Sequence, residues 1–128
     1  MPTILFVEDD DAFRYAACRH LRSEGYTVVD APSSMDALKL LDKGGGIDIV
    51  VVDIALHPKE PHGFALARMI RHKHPYMPVL FITGVLDILK VEPGIEGEPI
   101  LYKPVDLAEL SRKIGEQLLD LSRQEKTT

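Results

Sequence analysis

Ile49-Val50-Val51-Val52 is an unbroken run of β-branched residues that stops at Asp53. Such side chains fit the pleated surface of a sheet, and a strand that is apolar at every position must be covered on both faces. Helices on either side of a largely parallel sheet meet that condition, so the run narrows the fold class before anything else is read.

The same grammar recurs along the chain. Ile4-Leu5-Phe6-Val7, Thr27-Val28-Val29, Val79-Leu80-Phe81-Ile82-Thr83 and Ile100-Leu101-Tyr102 read as further short strands. Between them lie helical patterns. Phe13, Ala16, Ala17, Cys18 and Leu21 recur at helical spacing over Ala12 to Glu24, with Asp10 or Asp11 as N-cap and Gly25 as terminator. Ser33 with Asp36 three residues on resembles an acidic capping box and opens a helix through Leu41, which Gly44-Gly45-Gly46 ends. A loop with Pro58 and Pro61 leads into a third helix from Gly63 to His74. Val85 to Val91 has room for two helical turns, after which Pro93, Gly94, Gly97 and Pro99 forbid a longer helix. Asp106 and Glu109 cap a last helix carrying Leu107, Leu110, Ile114, Leu118 and Leu121 on one face, with a frayed tail from Arg123 to Thr128. Five strands alternating with helices predict a doubly wound α/β domain over residues 1–122, with a short or irregular fourth helix.

Composition removes several function classes. At 128 residues the chain has the size of one domain, and 45% hydrophobic with 27% charged residues is ordinary for a globular protein. A formal charge of -5 without a Lys/Arg cluster argues against nucleic acid as partner. Cys18 is the single cysteine, so an internal disulfide is excluded; its place on an apolar helix face predicts a buried thiol, and a reducing cytoplasm fits. Neither a signal peptide nor an apolar run long enough to span a bilayer is found, so no membrane insertion is expected.

In a doubly wound sheet the ligand site lies at the carboxyl ends of the strands. There the sequence places Glu8 and Asp9 after the first strand, Asp53 after the third, and Thr83 and Lys103 after the fourth and fifth. Crowded carboxylates repel one another and stay ionised most readily around a hard cation such as Mg²⁺. An aspartate beside such an ion can attack a phosphoryl group while the metal and a lysine neutralise its oxygens, and a threonine hydroxyl can donate to one of them.

Phe6-Val7-Glu8-Asp9-Asp10, Val50-Val51-Val52-Asp53, Ile82-Thr83-Gly84 and Tyr102-Lys103-Pro104 together resemble the receiver domains of two-component response regulators, over essentially the whole chain. The resemblance implies a flavodoxin-like sheet of strand order 2-1-3-4-5. It makes Asp53 the phosphoacceptor, Thr83 the switch hydroxyl and Lys103 the cation. Mg²⁺, or Mn²⁺ in its place, would be held by Asp9 directly, by Glu8 through water, by Asp53 and by the Ala55 carbonyl. A cis Lys103-Pro104 peptide also belongs to the pattern. The implied partners are a histidine kinase or histidine phosphotransfer protein and an unidentified downstream protein, with scope for a phosphorylation-dependent dimer. The expected protein is a stand-alone cytoplasmic regulator, not a turnover enzyme.

Several features depart from the family. Leu56 to His62 carries about two more residues than the usual loop, Ile100 stands where an aromatic is common, and the fourth helix is short. They give a rival reading, a pseudo-receiver that binds protein without phosphorylation. A phosphatase that uses a strand-end aspartate needs a second acid two residues later, where Ala55 stands. Gly44-Gly45-Gly46 precedes a strand and lacks the Lys-Ser/Thr of a phosphate loop, and His57, His62, His72 and His74 read as solvated surface.

Overall fold

The computed structural model describes residues 1–55, 62–91 and 94–127. Strands and helices alternate: β1 (Thr3–Val7), α1 (Asp11–Ser23), β2 (Thr27–Ala31), α2 (Ser34–Asp42), β3 (Ile49–Asp53), α3 (Gly63–Lys73), β4 (Val79–Thr83), α4 (Ile88–Val91), β5 (Ile100–Tyr102) and α5 (Leu107–Thr127). The sheet runs β2-β1-β3-β4-β5 with every neighbouring pair parallel, the order expected for a flavodoxin-like domain.

Successive strand residues point to opposite faces, so the apolar runs feed two cores. Leu5, Val7, Val50, Val52, Val79 and Phe81 pack with Ala37 of α2, with Phe64, Leu66 and Ile70 of α3, and with Ile88 of α4. Ile4, Phe6, Ile49, Val51, Leu80 and Ile82 pack on the other side with Ala17, Cys18 and Leu21 of α1 and with Leu110 and Ile114 of α5. Every residue of β3 and β4 is buried, which is why those strands show no polar alternation. Burial pushes the Cys18 thiol up to about 11, so it acts as core filling, not as a nucleophile.

The helix starts follow the capping chemistry. Asp10, not Asp11, caps α1 by accepting from the Phe13 N–H at 3.1 Å. Ser33 caps α2 by accepting from the Asp36 N–H at 3.1 Å, which is the first half of the box read from the sequence; the Asp36 carboxylate accepts from the Ser33 hydroxyl at 2.9 Å in place of the Ser33 backbone N–H. Gly25 (φ 99°) and Gly44 (φ 68°) supply the left-handed backbone just past α1 and α2. Asp106 accepts from the Ala108 N–H at the start of α5, but Glu109 does not complete a box: its carboxylate is taken by Arg112 one turn on. The Lys103-Pro104 peptide is cis.

The segment after β4 is shorter in helix than Val85 to Val91 allowed. Its helical part is the single turn Ile88–Val91. It is nevertheless anchored. Ile88 and Ile95 are both buried in the α3 side of the core. Glu98 is gripped by Arg71 of α3 through two hydrogen bonds, 2.8 and 3.1 Å. The expected extra residues between Leu56 and Pro61, and Pro93, lie outside the described residues.

Candidate functional site

Parallel pairing brings the strand ends to one edge. Val7 of β1 lies beside Val52 of β3, Asp53 beside Ile82 of β4, and Thr83 beside Tyr102 of β5. Residues at these ends or within two steps past them are therefore neighbours: Glu8, Asp9, Asp53, Thr83 and Lys103. Neither the Lys103–Asp53 nor the Glu8–Asp53 approach is local, since 50 residues separate the first pair in the chain.

Asp53 is 4% exposed and held at both carboxylate oxygens. Oδ1 accepts from the Ala55 N–H at 2.9 Å and Oδ2 from Lys103 Nζ at 2.6 Å. Glu8 is 1% exposed, and its Oε1 lies 2.9 Å from the same ammonium as an ion pair without the alignment of a hydrogen bond. Glu8 Oε2 accepts from the Asp10 N–H at 3.4 Å. Lys103 also stands 5.4 Å from the centroid of the Phe13 ring, a cation–π contact that walls one side of the ammonium. One carboxylate oxygen from each of Glu8, Asp9 and Asp53 falls within 4.8 Å of the others.

Burial dominates the electrostatics of Glu8. It pushes the carboxyl up to about 7, helped by the neighbouring Asp53 carboxylate and opposed by the Lys103 ammonium. Burial acting alone would lower Lys103, but its hydrogen bond to Asp53 and its ion pair with Glu8 prevail and hold the ammonium above its ordinary range.

Thr83 is fully buried at the end of β4, where its Oγ1 accepts from the Val85 N–H at 3.0 Å. A hydroxyl that accepts there still has its proton to donate. The Lys103 N–H donates to the Thr83 carbonyl at 2.8 Å, which ties the lysine to the threonine's strand. Tyr102 is turned outward and 40% exposed, while Ile100 is half-buried beside Phe81. Among the described residues the histidines form no cluster, and the one acidic or histidine group suited to a metal is Glu8, Asp9 and Asp53. His62 caps α3 by accepting from the Ala65 N–H.

The chain matches the family model of the response regulator receiver domain over residues 4–115. It belongs to that family. The receiver is 36% identical over 119 residues to the sensor kinase CckA of Brucella abortus, covering 91% of this chain and 12% of the kinase. It is 34% identical to the transcriptional regulatory protein AfsQ1 of Streptomyces coelicolor, covering 89% of this chain and 50% of that protein. The chain thus spans half or less of these curated relatives. The crystal structure of a response regulator receiver protein from Sinorhizobium medicae superposes with a TM-score of 0.83 at 29% identity, over 94% of this chain and 96% of the other. Receivers are phosphoacceptor signalling modules and not turnover enzymes, and their partners are in general histidine kinases or phosphotransfer proteins. Among the described residues no helix is long and apolar enough to cross a membrane.

The donor set of this receiver suits the ion that its family uses. All three side chains offer carboxylate oxygens, the ligand a hard divalent cation prefers. The buried Glu8 Oε1, which no hydrogen bond satisfies, is the atom with most to gain.

Two residues at this edge escaped the sequence reading. Arg14 donates to the Glu8 carbonyl and Gly63 to the Ile54 carbonyl, each beside an acid of the site. Arg14 could have been suspected from its i, i+3 spacing to Asp11, and Gly63 from being a glycine where a helix begins.

Proposed function

We propose that this receiver accepts a phosphoryl group on Asp53 from the phosphohistidine of a histidine kinase or histidine phosphotransfer protein, and signals by altered affinity for a downstream protein. The observation that carries the reading is the placement of Asp53. It is a buried carboxylate bonded to Lys103 Nζ at 2.6 Å and bordered by the carboxylates of Glu8 and Asp9.

In this reading an Asp53 oxygen forms the new bond to phosphorus as the donor's P–N bond breaks, and the leaving imidazole nitrogen takes the electron pair. Lys103 moves its hydrogen bond from the carboxylate to a phosphoryl oxygen, and the Thr83 hydroxyl donates to another. Glu8, Asp9, Asp53 and the Ala55 carbonyl would hold Mg²⁺, or Mn²⁺, which neutralises charge on the phosphoryl oxygens when bound. The added charge of roughly -1.5 to -2 then biases the surface around Thr83 and Lys103 toward a second arrangement. The same reading takes residues 1–122 as the working domain, located in the cytoplasm, with dimerisation on phosphorylation as one form the output can take.

A pseudo-receiver that binds its partner without phosphorylation is the second reading. The outward Tyr102 and the inward aliphatic Ile100 favour it, because they leave no aromatic to follow Thr83 inward. Incubation with Mg²⁺ and acetyl phosphate, and separately with a histidine kinase and ATP, followed by intact mass spectrometry, separates the two. One phosphoryl adduct that Asp53→Ala abolishes supports the first reading; no adduct from either donor supports the second.

A further inference from the structure

We propose that Arg14 is a positioning residue for the cation site: its guanidinium fixes the loop that carries Glu8 and Asp9, and thereby sets the affinity for Mg²⁺. The inference rests on the reading that the acidic edge takes Mg²⁺.

Arg14 lies in the opening turns of α1, and its side chain folds back over the end of β1. Nη1 donates to the Glu8 carbonyl at 2.7 Å, Nη2 to Asp11 Oδ1 at 2.6 Å, and Nε to Asp30 Oδ2 at 3.1 Å. One planar group therefore joins the end of β1, the start of α1 and the end of β2. Although Asp11 is itself largely exposed, only 15% of the Arg14 side chain is.

The bond to Glu8 is made through the peptide oxygen, not the carboxylate, and this gives Arg14 its leverage. The Glu8 N–H already donates to the Ala31 carbonyl at 3.0 Å. With the carbonyl held as well, the Glu8 residue is fixed at both of its backbone groups. The peptide plane between Glu8 and Asp9 then cannot turn without breaking the Arg14 bond, and that plane decides where both side chains leave the backbone. The requirement is for a planar fork with separate donors. An ammonium carries the same charge, but its three N–H donors sit on one nitrogen and cannot span acceptors that are bonded here by three separate nitrogens.

Competing accounts differ in the sign of what they predict. If Arg14 mattered only through its charge, it would repel an incoming cation, and its removal would tighten Mg²⁺ binding. If it were only a surface ion pair, its removal would change little. A partner that orients metal-bearing groups costs roughly 10–100-fold in metal affinity when removed.

The test is an isothermal titration of Mg²⁺ into the wild-type protein, Arg14→Met and Arg14→Lys at physiological ionic strength, with urea unfolding in the absence of Mg²⁺ to show that each is folded. Both variants are expected to bind about 10–100-fold more weakly. Phosphorylation by acetyl phosphate should need correspondingly more Mg²⁺ for half-maximal rate, with the rate at saturating Mg²⁺ little changed. Unchanged or tighter Mg²⁺ binding by Arg14→Met, or wild-type affinity in Arg14→Lys, overturns the proposal. Should Arg14→Met fail to fold, the Arg14→Lys result decides. A wild-type protein that binds no Mg²⁺ overturns both this inference and the reading on which it rests, whereas weaker binding confined to the variants supports both.

Discussion

Replacing Gly63 by alanine tests how tightly α3 is seated against the end of β3. A Cβ at Gly63 would stand 2.4 Å from the Asp53 carbonyl oxygen, 2.8 Å from Ile54 Cα and 2.9 Å from the Asp53 carbonyl carbon. Ordinary contact begins about 1 Å further out than the first of these. All three atoms are backbone, so no side-chain rotation relieves the clash, and the start of α3 must move away from the end of β3. That motion strains the Gly63 N–H bond to the Ile54 carbonyl, now 2.9 Å. Overpacking costs roughly 1–3 kcal/mol, the strained bond about 1 kcal/mol, and the better helix propensity of alanine returns at most about 1 kcal/mol.

The net expectation is a loss of about 2 kcal/mol, which lowers Tm by roughly 6–10 °C in a domain of this size. Gly115→Ala is the internal control. It makes the same chemical change inside α5, where the new Cβ meets only the Tyr26 hydroxyl at 3.8 Å. There the propensity gain is unopposed and a stabilisation of about 0.5–1 kcal/mol is expected. Urea unfolding of the two variants should therefore shift in opposite directions. Because Asp53 heads the displaced backbone, Gly63→Ala should also slow phosphorylation by acetyl phosphate. If Gly63→Ala were as stable as the wild type, or gained stability as Gly115→Ala does, the seating of α3 inferred from these contacts would be wrong.

Three further expectations follow from the site and its surroundings. Since Glu8 sits at about 7 in the folded protein against an ordinary 4.5, it binds its proton more tightly when folded. The metal-free protein should then lose stability as pH rises from 4.5 to 7, and Mg²⁺, which competes with that proton, should bind about tenfold more weakly at pH 6 than at pH 8. Calorimetry across that range checks this, and a Glu8→Gln protein should show the dependence flattened. Ile95→Ala should destabilise by roughly 2–5 kcal/mol in urea, because Ile95 is fully buried against the α3 side of the core; a cost below about 0.5 kcal/mol would show the segment to be loosely attached. Finally, Ala55 and Val85 offer no side chain that can activate water beside Asp53 or Thr83. The acyl phosphate should therefore persist for minutes or longer by radiolabel or mass spectrometry, and decay within seconds would contradict that account.

Much of the architecture is written in short stretches of chain. The apolar runs at Ile4–Val7, Ile49–Val52 and Val79–Ile82 name strands covered on both faces, because a β-branched run without polar alternation can be satisfied in few other ways. Ser33 with Asp36, and Asp10 ahead of Phe13, mark helix starts through hydrogen bonds that span three residues, so the local sequence contains both partners. The acids at the ends of those runs were legible for the same reason: the position of a residue along its own strand is local information.

What the sequence alone determined is thus which residues lie on strands, which faces are apolar, and which carboxylates reach the carboxyl edge. Tertiary structure decided what meets them there. Lys103 reaches Asp53 across 50 positions, Arg71 grips Glu98 across 27, and Arg14 reaches Asp30 across 16, distances over which periodicity carries no signal. The Gly- and Pro-rich stretch after β4 reads as irregular from its composition, yet Ile95 and Glu98 anchor it, because the holes and cations that receive them lie on α3 and exist only once the sheet has closed. Gly63 makes the same point from the backbone: its missing side chain matters only because β3 passes within 3 Å of it. Local propensity sets the direction each side chain leaves the backbone, but chain closure sets which group stands opposite, and the chemistry of this edge resides in those oppositions.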